Sequence, residues 1–166
     1  MIKLISGDLL EAEEGYICQQ VNCRGVMGSG LAKAIREKWP IVYKNYLEWF
    51  NSNETMLGKI QVVNISNKLK VINLAGQDNY GYRNTKFTSY DAFWDCLNEI
   101  KKQIPKGSRL NFPVNIGCGL GGGDWGVIST MIIEALSDDY NLYFYNKLGE
   151  NKKLENFIQK NSFHIP

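Results

Sequence analysis

Two glycine-rich segments, each set between a short apolar run and a stretch of helical spacing, limit what this chain can become. The first reads Val21-Asn22-Cys23-Arg24-Gly25-Val26-Met27-Gly28-Ser29-Gly30-Leu31-Ala32. The second reads Phe112-Pro113-Val114-Asn115-Ile116-Gly117-Cys118-Gly119-Leu120-Gly121-Gly122-Gly123-Asp124-Trp125. Glycine admits positive φ and lets another group approach the main chain closely. A strand-to-helix turn of this kind aims free N–H groups, and the positive end of a helix dipole, at whatever lies beside it. One such turn suggests an anion site. Two of them, both at strand ends where open α/β sheets place ligands, suggest the two walls of a pocket for a diphosphate. A hydrogen bond to a charged group contributes roughly 1.5–3 kcal/mol, so three or four reach micromolar affinity without lysine or arginine.

The remaining pattern supplies the frame for these turns. Ile2 to Ser6 and Tyr16 to Val21 read as strands. Leu31, Ile35 and Trp39 form one helical stripe, which Pro40 breaks or restarts, and Val42, Tyr43, Tyr46, Leu47 and Phe50 form another. Lys59 to Ser66 and Lys70 to Leu74 predict a hairpin around Asn67-Lys68. Ala75 to Thr88 reads as a polar loop, and loops of this length are often functional. Ser89 is placed to cap a helix with the stripe Tyr90, Phe93, Trp94, Leu97, Ile100 and Ile104. Arg109 to Val114 leads into the second glycine turn, Asp124 is placed to cap the helix after it, and Asn141 to Asn146 reads as a last strand. Lys152 to Lys160 suggests a terminal helix. Strands alternating with helices predict an α/β domain, a mixed sheet with helices on both faces, spanning residues 1–166 as one unit.

Composition narrows the chemistry. With 22% charged residues and a net charge of +2, the chain shows no clustered basic face of the kind duplex binders carry. No stretch approaches the roughly 18 apolar residues that span a bilayer, and Met1-Ile2-Lys3 turns polar too early for a signal peptide. A cytoplasmic protein without membrane partners is the expectation. Cys18, Cys23, Cys96 and Cys118 show no C-x-x-C pairing, and the single histidine, His164, stands outside every motif. A metal site is therefore not expected, nor is Ser-His-Asp or Cys-His catalysis. No G-x-x-x-x-G-K-[ST] string occurs, and Gly25-x-x-Gly28-x-Gly30 departs from the dinucleotide fingerprint. Asp8, after the first strand, could accept a hydrogen bond from an exocyclic amine such as adenine's, or cap a turn. Asn22, where the second strand enters its glycine turn, could bond a ribose hydroxyl or position a water, or satisfy its own backbone.

Taken in order, Gly7-Asp8-Leu9, the Val21-Asn22 start with Gly25 to Ala32, and Ile116 to Trp125 resemble the macrodomain superfamily. The likeness is greatest to its small bacterial and phage branch that processes ADP-ribose 1″-phosphate, and it covers residues 1–147. The resemblance implies a three-layer α/β/α fold with a central mixed β-sheet. It implies ADP-ribose or ADP-ribose 1″-phosphate as ligand, ADP-ribosylated macromolecules as further partners, and no cofactor. It implies that Asp8 binds the adenine amino group with help from the Leu9 amide, and that Asn22 contacts the distal ribose. The turn of Gly25, Val26, Met27, Gly28 and Gly30 would wrap the diphosphate from one side. That of Ile116, Gly117, Cys118, Gly119, Leu120, Gly121 and Gly122 would wrap it from the other. Val26 and Leu120 would press on sugar and phosphates. Tyr145 or Phe144, with Asn146, would lie near the adenine or proximal ribose.

Two departures bear on mechanism. Related macrodomains that cleave glutamyl-ADP-ribose use a lysine at the end of the strand that here runs Val71 to Gln77, and no lysine stands there. They also use an aspartate where this chain has Gly121, the nearest acid being Asp124. As an enzyme, the chain would hydrolyse the phosphomonoester of ADP-ribose 1″-phosphate, with Asn22 orienting water or ribose, Asp124 as the nearby acid, and Arg83 or Lys86 neutralising the terminal phosphate. As a binding module it would recognise ADP-ribose without turnover. De-ADP-ribosylation of protein or nucleic acid is the third reading.

Overall fold

The computed structural model describes residues 1–81 and 85–147. Each apolar run of the sequence becomes a strand and each helical stripe a helix. In chain order these are β1 (Ile2–Ser6), β2 (Gly15–Gln20), α1 (Gly30–Lys38), α2 (Pro40–Asn51), β3 (Ile60–Asn64), β4 (Leu69–Leu74), α3 (Tyr90–Gln103), β5 (Arg109–Pro113), α4 (Trp125–Leu136) and β6 (Asn141–Asn146). A single 3-10 turn, Leu9–Glu11, follows β1. Pro40 restarts the helix: it occupies the first turn of α2, where its missing N–H costs nothing. The suggested helix at Lys152 to Lys160, together with Arg83 and His164, lies outside the described residues.

The six strands form one sheet in the order β1-β6-β5-β2-β4-β3. β1, β6, β5, β2 and β4 run parallel, and only β3 is antiparallel, folded back on β4 with Val63 opposite Val71. This is a mixed sheet, and its strands alternate between two apolar clusters. Cys18, Ile72, Leu110, Phe112, Leu142 and Phe144 pack with Phe93 and Leu97 of α3 and Ile128 and Ile132 of α4. Ile17, Val21, Val63, Val71 and Tyr145 pack on the other face with Ile35 of α1 and Val42 and Tyr46 of α2. The result is the expected α/β/α sandwich. No helix among the described residues is long and apolar enough to cross a membrane.

Parallel pairing decides where a ligand can sit. The carboxyl ends of β1, β2, β4, β5 and β6 all emerge on one side, so their loops share one rim. β2 lies between β5 and β4. The first glycine turn, after β2, is therefore flanked by the second, after β5, and by the segment from Ala75, after β4.

Candidate functional site

A cleft of about 260 Å³ opens at this rim between the two glycine turns, closed on the third side by Gln77, Tyr80 and Gly81. Of the residues expected at a ligand site, Asn22, Val26, Met27, Gly28, Gly30, Ile116, Gly117, Gly119, Leu120 and Gly121 line it. Among the described residues, no Asp, Glu, Lys, Arg, His or Cys side chain lines it. Its polarity comes from main chain, carboxamides, Ser29 and the Tyr80 phenol.

The first turn is braced from below. Tyr46 of α2 is fully buried, and its hydroxyl lies 2.7 Å from both Asn22 O and Asn22 Oδ1. The Gly25 N–H donates to that hydroxyl at 3.1 Å. Burial pushes the Tyr46 phenol up to about 12, so it remains a donor at neutral pH. Asn22 Oδ1 also accepts from the Arg24 N–H at 2.9 Å, and its Nδ2 donates to Val26 O at 2.7 Å. The Asn22 side chain thus shapes its own turn while also lining the cleft. The Gly25 amide, expected to face a ligand, is likewise engaged, and Gly25 does not line the cleft. Further along, the amides of Met27, Gly28, Ser29 and Gly30 donate to no described residue. Ser29 is the N-cap residue of α1 yet makes no side-chain cap, so the first helical amides also stay open. An uncapped nine-residue helix aimed at a cleft is a favourable place for anionic oxygen.

The second turn is braced by the loop after β4. Thr88 Oγ1 donates to Gly117 O at 2.7 Å, and the Phe87 and Thr88 amides donate to Gly121 O at 2.8 and 2.9 Å. Gln20 Nε2 binds both Thr88 Oγ1 (2.9 Å) and Gln77 Oε1 (2.6 Å). Within the turn, the Cys118 amide donates to Asn115 O and the Gly122 amide to Gly119 O. Cys118 and Gly122, both expected at a ligand, hold the turn closed through these bonds and stand outside the cleft lining. The Gly117, Gly119, Leu120 and Gly121 amides donate to no described residue. Leu120 projects over the mouth, nearly half exposed.

Asp8, Leu9, Tyr145 and Asn146 gather elsewhere on the rim, where β1 and β6 end side by side with Ser6 opposite Asn146. The Gly7 amide donates to Asn146 O at 3.1 Å. Asp8 caps the 3-10 turn by accepting the Leu10 amide at 3.0 Å and pairs with Lys147 at 3.3 Å. That backbone bond, reinforced by Lys147, outweighs partial burial and holds the carboxyl below its usual 3.8. Leu9 is buried, and Tyr145 accepts a hydrogen bond from Arg109 at 2.8 Å. Phe144 points the other way into the core, its ring 5.9 Å from that of Phe112. Of the two aromatics named from the sequence, only Tyr145 shares the Leu9 side of the sheet.

The charged candidates are committed elsewhere. Asp124 caps α4 by accepting the Val127 amide at 3.1 Å, and it does not line the cleft. Lys86 sits 4.3 Å over the Tyr90 ring. Arg24 pairs with Asp78 at 2.7 Å on the outer rim. Burial pushes the Cys118 thiol up to about 12 and the Cys23 thiol to about 11, so neither is a nucleophile at neutral pH. No group of three His, Cys, Asp or Glu residues able to hold a metal occurs among the described residues. Sequence reasoning missed Gln19, Gln20, Gln77, Thr88 and Tyr46. Gln19 and Gln20 did carry a signal, two carboxamides at the inner end of an otherwise apolar strand.

No family profile matches the sequence. A DNA ADP-ribosyl glycohydrolase of Mycobacterium tuberculosis is 27% identical over 160 residues, covering 93% of this chain and 45% of the relative. The chain thus spans under half the length of that curated relative. Among solved structures, the macrodomain of Mycobacterium tuberculosis DarG superposes with a TM-score of 0.74 at 24% identity, covering 87% of this chain and 97% of that one. Thermosipho africanus DarTG in complex with ADP-ribose gives 0.75 at 19% identity, covering 93% of this chain and 44% of that one. The sheet order, the paired glycine turns at its carboxyl rim and these neighbours agree, and the chain has the macrodomain fold.

Proposed function

We propose that the cleft binds ADP-ribose and that the protein hydrolyses ADP-ribose derivatives substituted at the distal ribose, ADP-ribose 1″-phosphate first among them. The observation that carries this reading is the facing pair of glycine turns, with amides that donate to no described residue and, among the described residues, no charged side chain between them. Such a wall of fixed N–H dipoles suits a diphosphate, whose oxygens accept from every direction. Met27 to Gly30 would take one phosphate and Gly117 to Gly121 the other. The carboxylate of Asp8 would meet the adenine amine at the β1–β6 end, with the Leu9 amide, Tyr145 and Asn146 around it.

Catalysis in this reading comes from placement and from amides aimed at developing charge. Gln77 stands after β4 and lines the cleft, and a carboxamide is neither nucleophile nor base at neutral pH. A substrate bearing a terminal phosphate carries its own proton acceptor, which is why the phosphomonoester fits a cleft where no described residue supplies one. Asn22 would then act by holding the turn in register, with Asp124 acting through α4.

A second reading, removal of ADP-ribose from DNA, is favoured by the name of the curated relative. One turnover panel separates the readings: ADP-ribose 1″-phosphate, ADP-ribosylated single-stranded DNA and ADP-ribosylated protein, with product quantified for each. Phosphate release from the first supports the primary reading, and free ADP-ribose from DNA alone supports the second. Binding of ADP-ribose with no turnover of any substrate makes the protein a reader. Failure of ADP-ribose to bind overturns all three.

A further inference from the structure

One position on the cleft wall carries a side chain where the backbone alone asks for glycine. The Ile116 amide donates to Pro113 O at 3.2 Å, closing a turn over residues 113–116 whose third residue, Asn115, has a φ of 65°. A turn with positive φ at its third residue takes glycine or asparagine. Glycine is the ordinary choice in this segment, filling five of the next eight positions. An asparagine in left-handed backbone commonly spends its carboxamide on the main chain beside it. The Asn115 carboxamide makes no hydrogen bond with any described residue, while its main-chain oxygen accepts from the Cys118 amide at 2.9 Å. Asn115 is exposed and lines the cleft.

The sheet fixes where this residue stands on the rim. β5 lies between β6 and β2. β6 ends beside β1 at the Asp8 end, and β2 feeds the first glycine turn. Pro113 of β5 is opposite Tyr145 of β6, and the Val114 amide donates to Tyr145 O at 3.0 Å. Asn115 follows directly, with Pro113 and Val114 lining the cleft beside it. Two residues later the chain reaches Gly117, where the open amides of the second wall begin. Asn115 therefore stands between the Asp8 end and the facing glycine turns.

We propose that the Asn115 carboxamide hydrogen-bonds a hydroxyl of the adenosine ribose, making Asn115 a specificity-determining residue of this site. The inference rests on the ADP-ribose reading above. In that reading the adenine lies with Asp8 and the diphosphate with the glycine turns, and the adenosine ribose is the piece that joins them. A sugar hydroxyl both donates and accepts, and a carboxamide offers an oxygen and an NH2, so the two groups match in either sense. Glycine would make the turn equally well and offer the sugar nothing. The carboxamide is thus the part of this position that the fold does not use.

The test is calorimetric titration of the wild-type protein and of Asn115→Gly with ADP-ribose and with its analogues lacking the 2′- or the 3′-hydroxyl of the adenosine ribose. Asn115→Gly keeps the turn and removes only the carboxamide, so it should melt close to wild type. One deoxy analogue is expected to bind wild type about tenfold more weakly than ADP-ribose. Asn115→Gly should lose a similar factor with ADP-ribose and show no further loss with that analogue. A loosened turn would weaken all three ligands alike and leave the deoxy penalty in place, and that result overturns the proposal. Unchanged ADP-ribose affinity in Asn115→Gly overturns it too. Equal binding of ADP-ribose and both analogues by wild type overturns it whatever the stability of the variant. If wild type does not bind ADP-ribose at all, the reading of the site fails and takes this inference with it, an outcome distinct from the others.

Discussion

The two glycine turns look alike in sequence and are held by opposite means. The first is fastened from the helix side by one buried phenol, Tyr46, and opens into α1, whose N-terminus has no side-chain cap. The second is fastened from the loop side by Thr88 and Gln20, and the helix after it is capped by Asp124. The first turn therefore offers a helix dipole together with its amides. The second offers amides alone, because a carboxylate already faces its helix. A similar string of glycines can make two different anion walls, depending on what supports each from behind.

The sharpest way to break this comparison is to fill the second turn. A Cβ at position 121 would stand 2.6 Å from Thr88 Oγ1 and 2.7 Å from Gly117 O, and the latter is backbone that cannot swing away. Gly121→Val is expected to cost on the order of 3 kcal/mol and to abolish ADP-ribose binding. Urea denaturation and calorimetry measure the two effects, and a variant of near-native stability refutes the bracing described.

The brace of the first turn is tested by Tyr46→Phe, which leaves Asn22 and Gly25 without their shared hydroxyl. A stability loss of about 1–3 kcal/mol is expected in chemical denaturation. Weaker ADP-ribose binding should accompany it as the turn loosens. Thr88→Val makes the parallel cut at the second turn. If only one of the pair weakens binding, the two walls are unequal in the complex.

A subtler pair separates tight turning from close approach. A Cβ at position 119 meets nothing within 4 Å, and one at 28 makes only an ordinary 3.5 Å contact with Val26. Gly119→Ala and Gly28→Ala should leave stability within about 0.5 kcal/mol of wild type. Each should nevertheless lower ADP-ribose affinity about tenfold if phosphate lies against the main chain there. Unchanged affinity in both would move the diphosphate away from these walls.

The smallest effect concerns the β1–β6 end. Because the Leu10 amide and Lys147 depress the Asp8 carboxyl, its contribution to stability is present at neutral pH and is lost as pH falls through its folded value, below 3.8. Asp8→Asn should lower melting temperature slightly near pH 7 and flatten its dependence on pH in that acid window, where wild type loses the same contribution. Asp8→Ala should weaken ADP-ribose binding at pH 7.

How much of this could be read beforehand depends on the range of the interactions. Turns, caps and strand runs are local, so Ser89 and Asp124 are visible as caps from spacing alone. The roles of Asn22 and Gln19 are not local. Asn22 is occupied by a tyrosine 24 positions away, and Gln19 by an asparagine 54 away, pairings that only the parallel register of β2 with β4 and the packing of α2 create. Lys86 is a similar case: its sequence position suggests the cleft, and its ammonium rests on Tyr90.

That the described lining is uncharged has a consequence for how such a cleft withstands mutation. Its recognition elements are dihedral angles, so truncating side chains one by one to alanine would leave most of its donors in place. Surveys that score function by charge reversal would pass over the described lining of this cleft, and substitutions that add atoms to glycine would find it.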